Sequence, residues 1–192
     1  MRLKTLLALF SLNRAASTEK VLQMSTTALP EENVWDYPRP ARLEKFEGKL
    51  TIIDGGKVIA QSTNAFRALE TSHPPTYYIP KDDVDMSLFS LNRRATMCEW
   101  KGRASYWDYT SQSSTPTRAR QVLANAAWSY EEDGVTSNFV PITGFLSFYA
   151  QYFDQCLVNE EMVKAQEGDF YGGWITSNLK GPFKGIPGSK FW

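Results

Sequence analysis

Apolar residues recur along this chain in short runs broken by glycine, proline or Ser/Thr clusters, and most runs carry the two-residue period of a strand rather than the 3.6-residue period of a helix. Residues 49–63, KLTIIDGGKVIAQST, hold two such runs around Asp54-Gly55-Gly56-Lys57. The paired glycines accept positive φ, so the stretch predicts a tight hairpin. Residues 96–110, TMCEWKGRASYWDYT, predict a second hairpin turning at Lys101-Gly102, followed by a polar loop over 111–120 and a strand at VLANAAWSY. QCLVNEEMV at 155–163 resembles another short hairpin. AFRALE at 65–70 fits either helix or strand, and strand is preferred; ITGFLSFYAQYF at 142–153 has roughly helical spacing. KDDVDMSLF, after Pro80, reads as one helical turn with acids at its positive end. Pro38 and Pro40 make VWDYPRPARLEKF an extended strap laid on a core. The expected fold is therefore mainly β with a minor α part: one compact domain of curved antiparallel sheet, one or two short helices, and extensions that wrap it.

The flanks divide the chain into three parts. Residues 1–32 read as a flexible leader and linker, 33–167 as the β-rich core with its strap, and 168–192 as a tail packed on the core. In the first 23 residues Arg2, Lys4 and Arg14 precede the first acid, Glu19, while Leu3, Leu6, Leu7 and Phe10 share one helical face. That is the pattern of an organelle transit peptide, with a short secretory signal or a plain tail as rivals, and Met24 as a second possible start. The expected location is the cytoplasm, or an organelle if the leader targets one. The tail holds half of the 12 glycines together with Phe170, Tyr171, Trp174, Phe183, Phe191 and Trp192. It cannot stabilise itself, yet so many rings are costly to leave in water, which predicts a wrap over the core or a pocket mouth.

Composition narrows the chemistry. Among 192 residues Lys and Arg number 21, as do Asp and Glu, so no net field draws the chain to nucleic acid or an anionic membrane. No run reaches the length of a membrane span. Cys98 and Cys156 are not a C-x-x-C pair, and His73 is the single histidine, so zinc would need ligands from distant segments. The expectation is two free thiols, no metal and no cofactor. No G-x-S-x-G elbow supports a Ser-His-Asp triad, and Gly55-Gly56-Lys57 lacks the remaining residues of a phosphate loop.

VWDYPRPARLE, ALETSHPPTYYIPKDDV, CEWKGRASYW, NAAWSYE and FYGGWITSNLKGPFKG resemble, in order, the blocks of domain-of-unknown-function family 427 in its longer form with an aromatic tail. The resemblance covers residues 33–192. It implies a compact β-rich domain similar to the beta-tent superfamily, some members of which bind zinc through paired cysteines that this chain lacks. The family's label also suggests nucleotidyl transfer. That chemistry commonly uses a carboxylate pair on Mg²⁺, and Asp83-Val84-Asp85 alone has such spacing, which acids opening a helical turn explain more simply.

Candidate site residues cluster in two blocks. Glu70, His73 and Lys101 are the candidate catalytic groups: a carboxylate closing an apolar run, the natural proton carrier, and a lysine among rings that could anchor an oxyanion. Arg39, Tyr78, Trp100, Tyr106, Asn125 and Trp128 are candidate binding residues. Alternation along an extended chain would put Cys98 and Trp100 on one face of the hairpin, with Glu99 and Lys101 on the other. Each residue also has a plain structural reading: a lysine at a hairpin tip, a Glu70 ion pair with Lys101 or Arg39, a loop histidine, aromatic cross-strand packing. Two functions follow: a small-molecule enzyme using proton transfer, or a non-catalytic module binding a ligand or peptide in the same pocket. Neither requires nucleic acid or membrane, and the oligomeric state is open.

Overall fold

A computed structural model describes residues 29–192; the expected leader over 1–23 and the alternative start at Met24 lie outside the described residues. The fold is mainly β. In chain order the strands are β1 (Glu32–Asn33), β2 (Arg42–Phe46), β3 (Leu50–Asp54), β4 (Lys57–Ser62), β5 (Ala65–Leu69), β6 (Thr76–Tyr78), β7 (Phe89–Cys98) and β8 (Gly102–Thr110). They continue with β9 (Val122–Val135), β10 (Leu146–Phe148), β11 (Gln155–Val158), β12 (Glu161–Met162), β13 (Lys164–Ala165), β14 (Trp174–Ile175) and β15 (Leu179–Lys180). Two four-stranded sheets, ordered β10-β9-β8-β7 and β12-β11-β3-β4, combine with a three-stranded sheet β2-β5-β6. A backbone bridge between Ile79 and Leu146, 2.8 Å in both directions, couples the end of β6 to β10.

The hairpin at Gly55-Gly56 forms as expected, with φ of +59° and +73°. A Cβ on Gly55 would stand 1.8 Å from the Gln112 carbonyl, so glycine is needed for close approach as well as for the turn. AFRAL is strand β5, and QCLVNEEMV is the β11–β12 hairpin. Residues 142–153 depart from their helical spacing: Leu146–Phe148 pairs with β9 as β10, and Ala150–Tyr152 is a single 3-10 turn. Sheet pairing to Ala127, Trp128 and Ser129 overrides the local period there. The strap also contains a 3-10 turn, Val34–Asp36, capped by the Asn33 side chain; it ends ahead of Pro38 and so escapes the proline restriction. KDDVDMSLF supplies two 3-10 turns, and the Asp85 carboxylate caps the second by accepting from the Ser87 N–H at 3.2 Å.

Strand alternation splits the interior in two. Tyr77 faces a core built on Leu50, Ile52, Ile59, Tyr109, Phe148 and Trp174, whereas its neighbour Tyr78 faces a second cluster with Ala104, Tyr106, Trp128, Tyr130 and Tyr149. The tail reaches both. Trp174 is buried, stacks near Tyr77 at 5.4 Å and donates from Nε1 to the Phe148 carbonyl at 2.9 Å. Strap and tail lie together: β1 pairs in parallel with β15, and Trp35 donates to the Pro182 carbonyl at 2.9 Å while its ring meets Trp192 at 5.3 Å. Two of the tail rings stay largely in solvent: Phe170 and Phe191 are 56% and 91% exposed. No described helix is long and apolar enough to cross a membrane.

Candidate functional site

The second cluster opens into a cavity of about 360 Å³. Its walls follow from register. On β8 and β9, Ala104 lies opposite Tyr130 and Tyr106 opposite Trp128, so these four share one face. On β5 and β6, Ala68 lies opposite Thr76 on the facing wall. The small side chains of Ala68 and Ala104 leave the space that the surrounding rings enclose.

Glu70, His73 and Lys101 all line this cavity. Glu70 follows directly after β5. Its Oε1 accepts from Trp100 Nε1 at 3.2 Å, and its Oε2 lies 3.7 Å from Lys101 Nζ. The lysine side chain is 12% exposed and also sits 5.7 Å from the Phe139 ring centre. The β7–β8 turn is fixed by Gly102 at φ +99°, where a Cβ would meet the Gly134 carbonyl at 1.9 Å. Thr136 clamps the same turn, its hydroxyl donating to the Trp100 carbonyl at 2.6 Å and its N–H to that of Lys101 at 3.1 Å. Strict alternation ends at Cys98. The following turn brings Cys98, Glu99, Trp100 and Lys101 all to the cavity, which corrects the two-face expectation.

His73 is 8% exposed, and its Nδ1 lies 3.0 Å from the Thr71 carbonyl. A carbonyl can only accept, so Nδ1 carries the proton and the neutral ring keeps its lone pair on Nε2. Burial pushes the imidazole pKa down, aided by Lys184 and Lys101, and outweighs the opposing pull of Glu70 and of the Thr71 hydrogen bond. The ring packs edge-on against Tyr171 at 4.8 Å. The preceding Ser72, at φ +68°, is fully buried and receives the Lys184 backbone N–H on its carbonyl at 2.7 Å.

Of the binding candidates, Trp100, Tyr106 and Trp128 line the cavity. Three do not. Tyr78 lies beneath the wall with no exposed surface, its hydroxyl unpaired within the protein and its pKa raised well above the ordinary value, chiefly by burial. Arg39 is exposed in the strap, and Glu70 takes Lys101 as its partner instead. Asn125, at φ +57°, forms an irregularity in β9: its N–H donates to Asp108 Oδ1 at 2.8 Å, and its side-chain oxygen accepts from Asn92 at 3.1 Å. It shapes the strand edge rather than the cavity.

No residue of the roof was among the candidates. Gln166, Phe170, Tyr171, Gly172 and Lys184 close the cavity from the tail side. Gln166 is buried and both ends of its amide are used, accepting from the Gly173 N–H at 3.0 Å and donating to the Lys184 carbonyl at 2.8 Å. Tyr149, 4.6 Å from Trp128 between ring centres, donates its hydroxyl to the Phe170 carbonyl at 3.0 Å. The Gly172-Gly173 doublet among aromatics was the available signal, since such a pair marks close backbone approach.

Among the described residues no group of three or more His, Cys, Asp or Glu side chains is placed to hold a metal ion. Of the Asp83–Asp85 pair, Asp85 is occupied in capping a 3-10 turn.

The strand ladders thus define a mainly β domain with a concave cavity lined by aromatic and titratable side chains. The chain belongs to the family described as domain of unknown function DUF427, whose model matches residues 42–159. No curated protein matches the chain at a significant level.

Proposed function

We propose that the cavity is the active site of a small-molecule enzyme that moves a proton without an obligatory metal. The observation that carries this reading is the convergence of the Glu70–His73 turn and the Lys101 hairpin, two separate stretches of chain, on one partly open concave space lined by rings. His73 is the proton carrier, because burial favours its neutral form and the Thr71 contact leaves Nε2 as the free base. Lys101 meets negative charge that develops on a ligand oxygen, and Glu70 holds the lysine in position together with Trp100. In such a step the proton leaves an acidic C–H or O–H of the ligand for Nε2, and the electron pair stays on the ligand as an enolate or phenolate facing the ammonium.

The test is solvent-deuterium exchange into small aromatic ketones and aldehydes bearing acidic C–H groups, followed by proton NMR. Wild-type protein is expected to catalyse exchange, with His73→Gln and Lys101→Met each lowering the rate by roughly 10²-fold or more, the usual scale for acid–base groups. A second reading, a non-catalytic binding module, has its own support: both oxygens of Glu70 are already engaged within the protein. Ligand binding without exchange by any compound would favour the module. Equal stability losses in Glu70→Gln and Lys101→Met would favour a structural ion pair.

A further inference from the structure

We propose that the cavity takes an uncharged planar carbonyl compound, its ring against Trp128 and Tyr106 and its oxygen accepting from the Tyr130 hydroxyl. This deepens the functional reading above and rests on the cavity being a ligand site.

Charge sets the first condition. Two carboxylates, Glu70 and Glu99, and two ammonium groups, Lys101 and Lys184, line the cavity, so its formal charges cancel. They are compensated locally as well. Glu70 faces Lys101 at 3.7 Å and accepts from Trp100, Lys184 Nζ donates to the Trp192 main-chain oxygen at 2.8 Å, and Glu99 is exposed to water. Burial keeps His73 in its neutral form. A ligand ion entering this space would give up its hydration without meeting an unpaired counter-charge. An uncharged ligand escapes that cost.

The hydrogen-bonding inventory sets the second condition. Several polar side chains of the lining are committed within the protein: Gln166 to Gly173 and Lys184, Tyr149 to the Phe170 carbonyl at 3.0 Å, and Tyr106 with Thr96 at 3.0 Å. Tyr130 is placed differently. It is 3% exposed and stands opposite the small Ala104 on the cavity face, and among the described residues its hydroxyl has the Cys98 thiol as its side-chain partner, a weak one. Burial, with Tyr78 and Cys98 beside it, pushes its pKa up, so the hydroxyl keeps its proton and serves as a donor. A carbonyl oxygen accepts from such a donor better than sulfur does. His73 in turn keeps the Nε2 lone pair for an acidic hydrogen. A carbonyl compound with an acidic C–H or O–H meets both groups on an uncharged frame.

The walls supply the shape. Trp100, Tyr106, Trp128 and Tyr149 line a space of about 360 Å³, at the small end of the roughly 300–1,000 Å³ range of ligand pockets. Flat π surfaces favour a flat ligand, because stacked and edge-on ring contacts lose their advantage against a bulky aliphatic group.

The experiment uses four naphthalene probes: 2-acetylnaphthalene, its oxygen-free isostere 2-isopropenylnaphthalene, 2-naphthoate and protonated 2-naphthylmethylamine. Binding at neutral pH is read by titration calorimetry. Position is read by the rate at which Cys98, on the cavity wall, reacts with a colorimetric disulfide reagent, Cys156 being buried. The ketone is expected to bind roughly fivefold tighter than the isostere, the scale of one neutral hydrogen bond, and roughly tenfold or more tighter than either ion. It should also slow labelling of Cys98. Tyr130→Phe, which removes one oxygen and keeps the ring, should bring the ketone down to the level of the isostere while leaving the isostere unchanged. An ion that binds wild-type protein as tightly as the ketone overturns the uncharged class. Equal binding of ketone and isostere, or an unchanged ketone preference in folded Tyr130→Phe, overturns the carbonyl contact. Failure of all four probes to bind and to protect Cys98 overturns the inference as a whole. Deuterium exchange into the acetyl methyl group is scored separately. Exchange by a protein that prefers an ion leaves the proton-transfer reading standing while this inference falls, and tight ketone binding without exchange does the reverse.

Discussion

A Cβ on Gly172 would stand 2.1 Å from Cη2 of Trp128, so the tail backbone lies directly on the indole that walls the cavity. Gly172→Ala must therefore displace either the tail or a ring packed between Tyr149 and the sheet. The expected cost is about 1–3 kcal/mol, the usual range for overpacking, with a shift in tryptophan emission. Denaturant titration followed by fluorescence checks both, and an unchanged midpoint would mean the tail lifts away freely.

His73 gives a pH prediction whose sign is fixed by burial. Its folded pKa lies below the ordinary value of 6.5, so the folded state holds fewer protons than the unfolded chain in the interval between the two. The resulting stability is fully present above pH 6.5 and is lost as pH falls through the folded pKa. Wild-type protein should lose more of its melting temperature between pH 7.5 and 5.5 than His73→Gln does. Parallel slopes for the two proteins would show that the ring is solvated.

A second buried charge lies outside the cavity lining. Asp54, fully buried, accepts at Oδ2 from Tyr109, Ser111 and the Gln112 and Ser113 N–H groups, and meets Arg118 at Oδ1, 3.0 Å away. Burial alone would raise its pKa, but these donors and Arg118 outweigh it and hold the carboxyl below its ordinary range. Asp54→Ala should cost on the order of 3–5 kcal/mol by leaving buried donors and a cation unpaired. Arg118→Met should cost less, since that side chain is partly exposed. The contribution of the wild-type carboxylate is present above about pH 4, near its unfolded pKa, and fades in stronger acid. Urea midpoints at neutral pH, with and without added salt, check the ranking; equal losses in the two variants would contradict it.

Deleting residues 168–192 should lower the melting temperature and raise binding of a hydrophobic dye. Trp174 would leave the Phe148 carbonyl and the Tyr77 ring, and β1 would lose β15. A truncated chain that melts unchanged without dye signal would mean the tail adds nothing to the core.

The strands were largely legible because their signals are local: Gly55-Gly56 and Lys101-Gly102 each dictate a turn. Leu146–Phe148 was not, since its strand identity comes from pairing with Ala127–Ser129, which no local period reports. For the site, Glu70, His73 and Lys101 stood out as polar groups amid rings. Tyr78 misled because its neighbour Tyr77 is equally aromatic, and only the sheet decides which ring faces which cluster and how deep it lies. Asn125 looked like a ligand-binding amide, but an unusual backbone angle, invisible in sequence, explains its contacts. Lys184 escaped notice because its partners, Ser72 and Gln166, are 112 and 18 positions away.

The match to the family ends at residue 159, while Gln166, Tyr171, Gly172 and Lys184 come after it. Floor and roof of the cavity are thus encoded in separate stretches of chain. Glu70, His73 and Lys101 sit in the floor, and the residues that cover the cavity from the other side sit in the roof. A different C-terminal segment joined to the same floor would leave those three side chains in place beneath a cavity of another shape, which makes the junction near residue 165 a natural place to re-cut the opening.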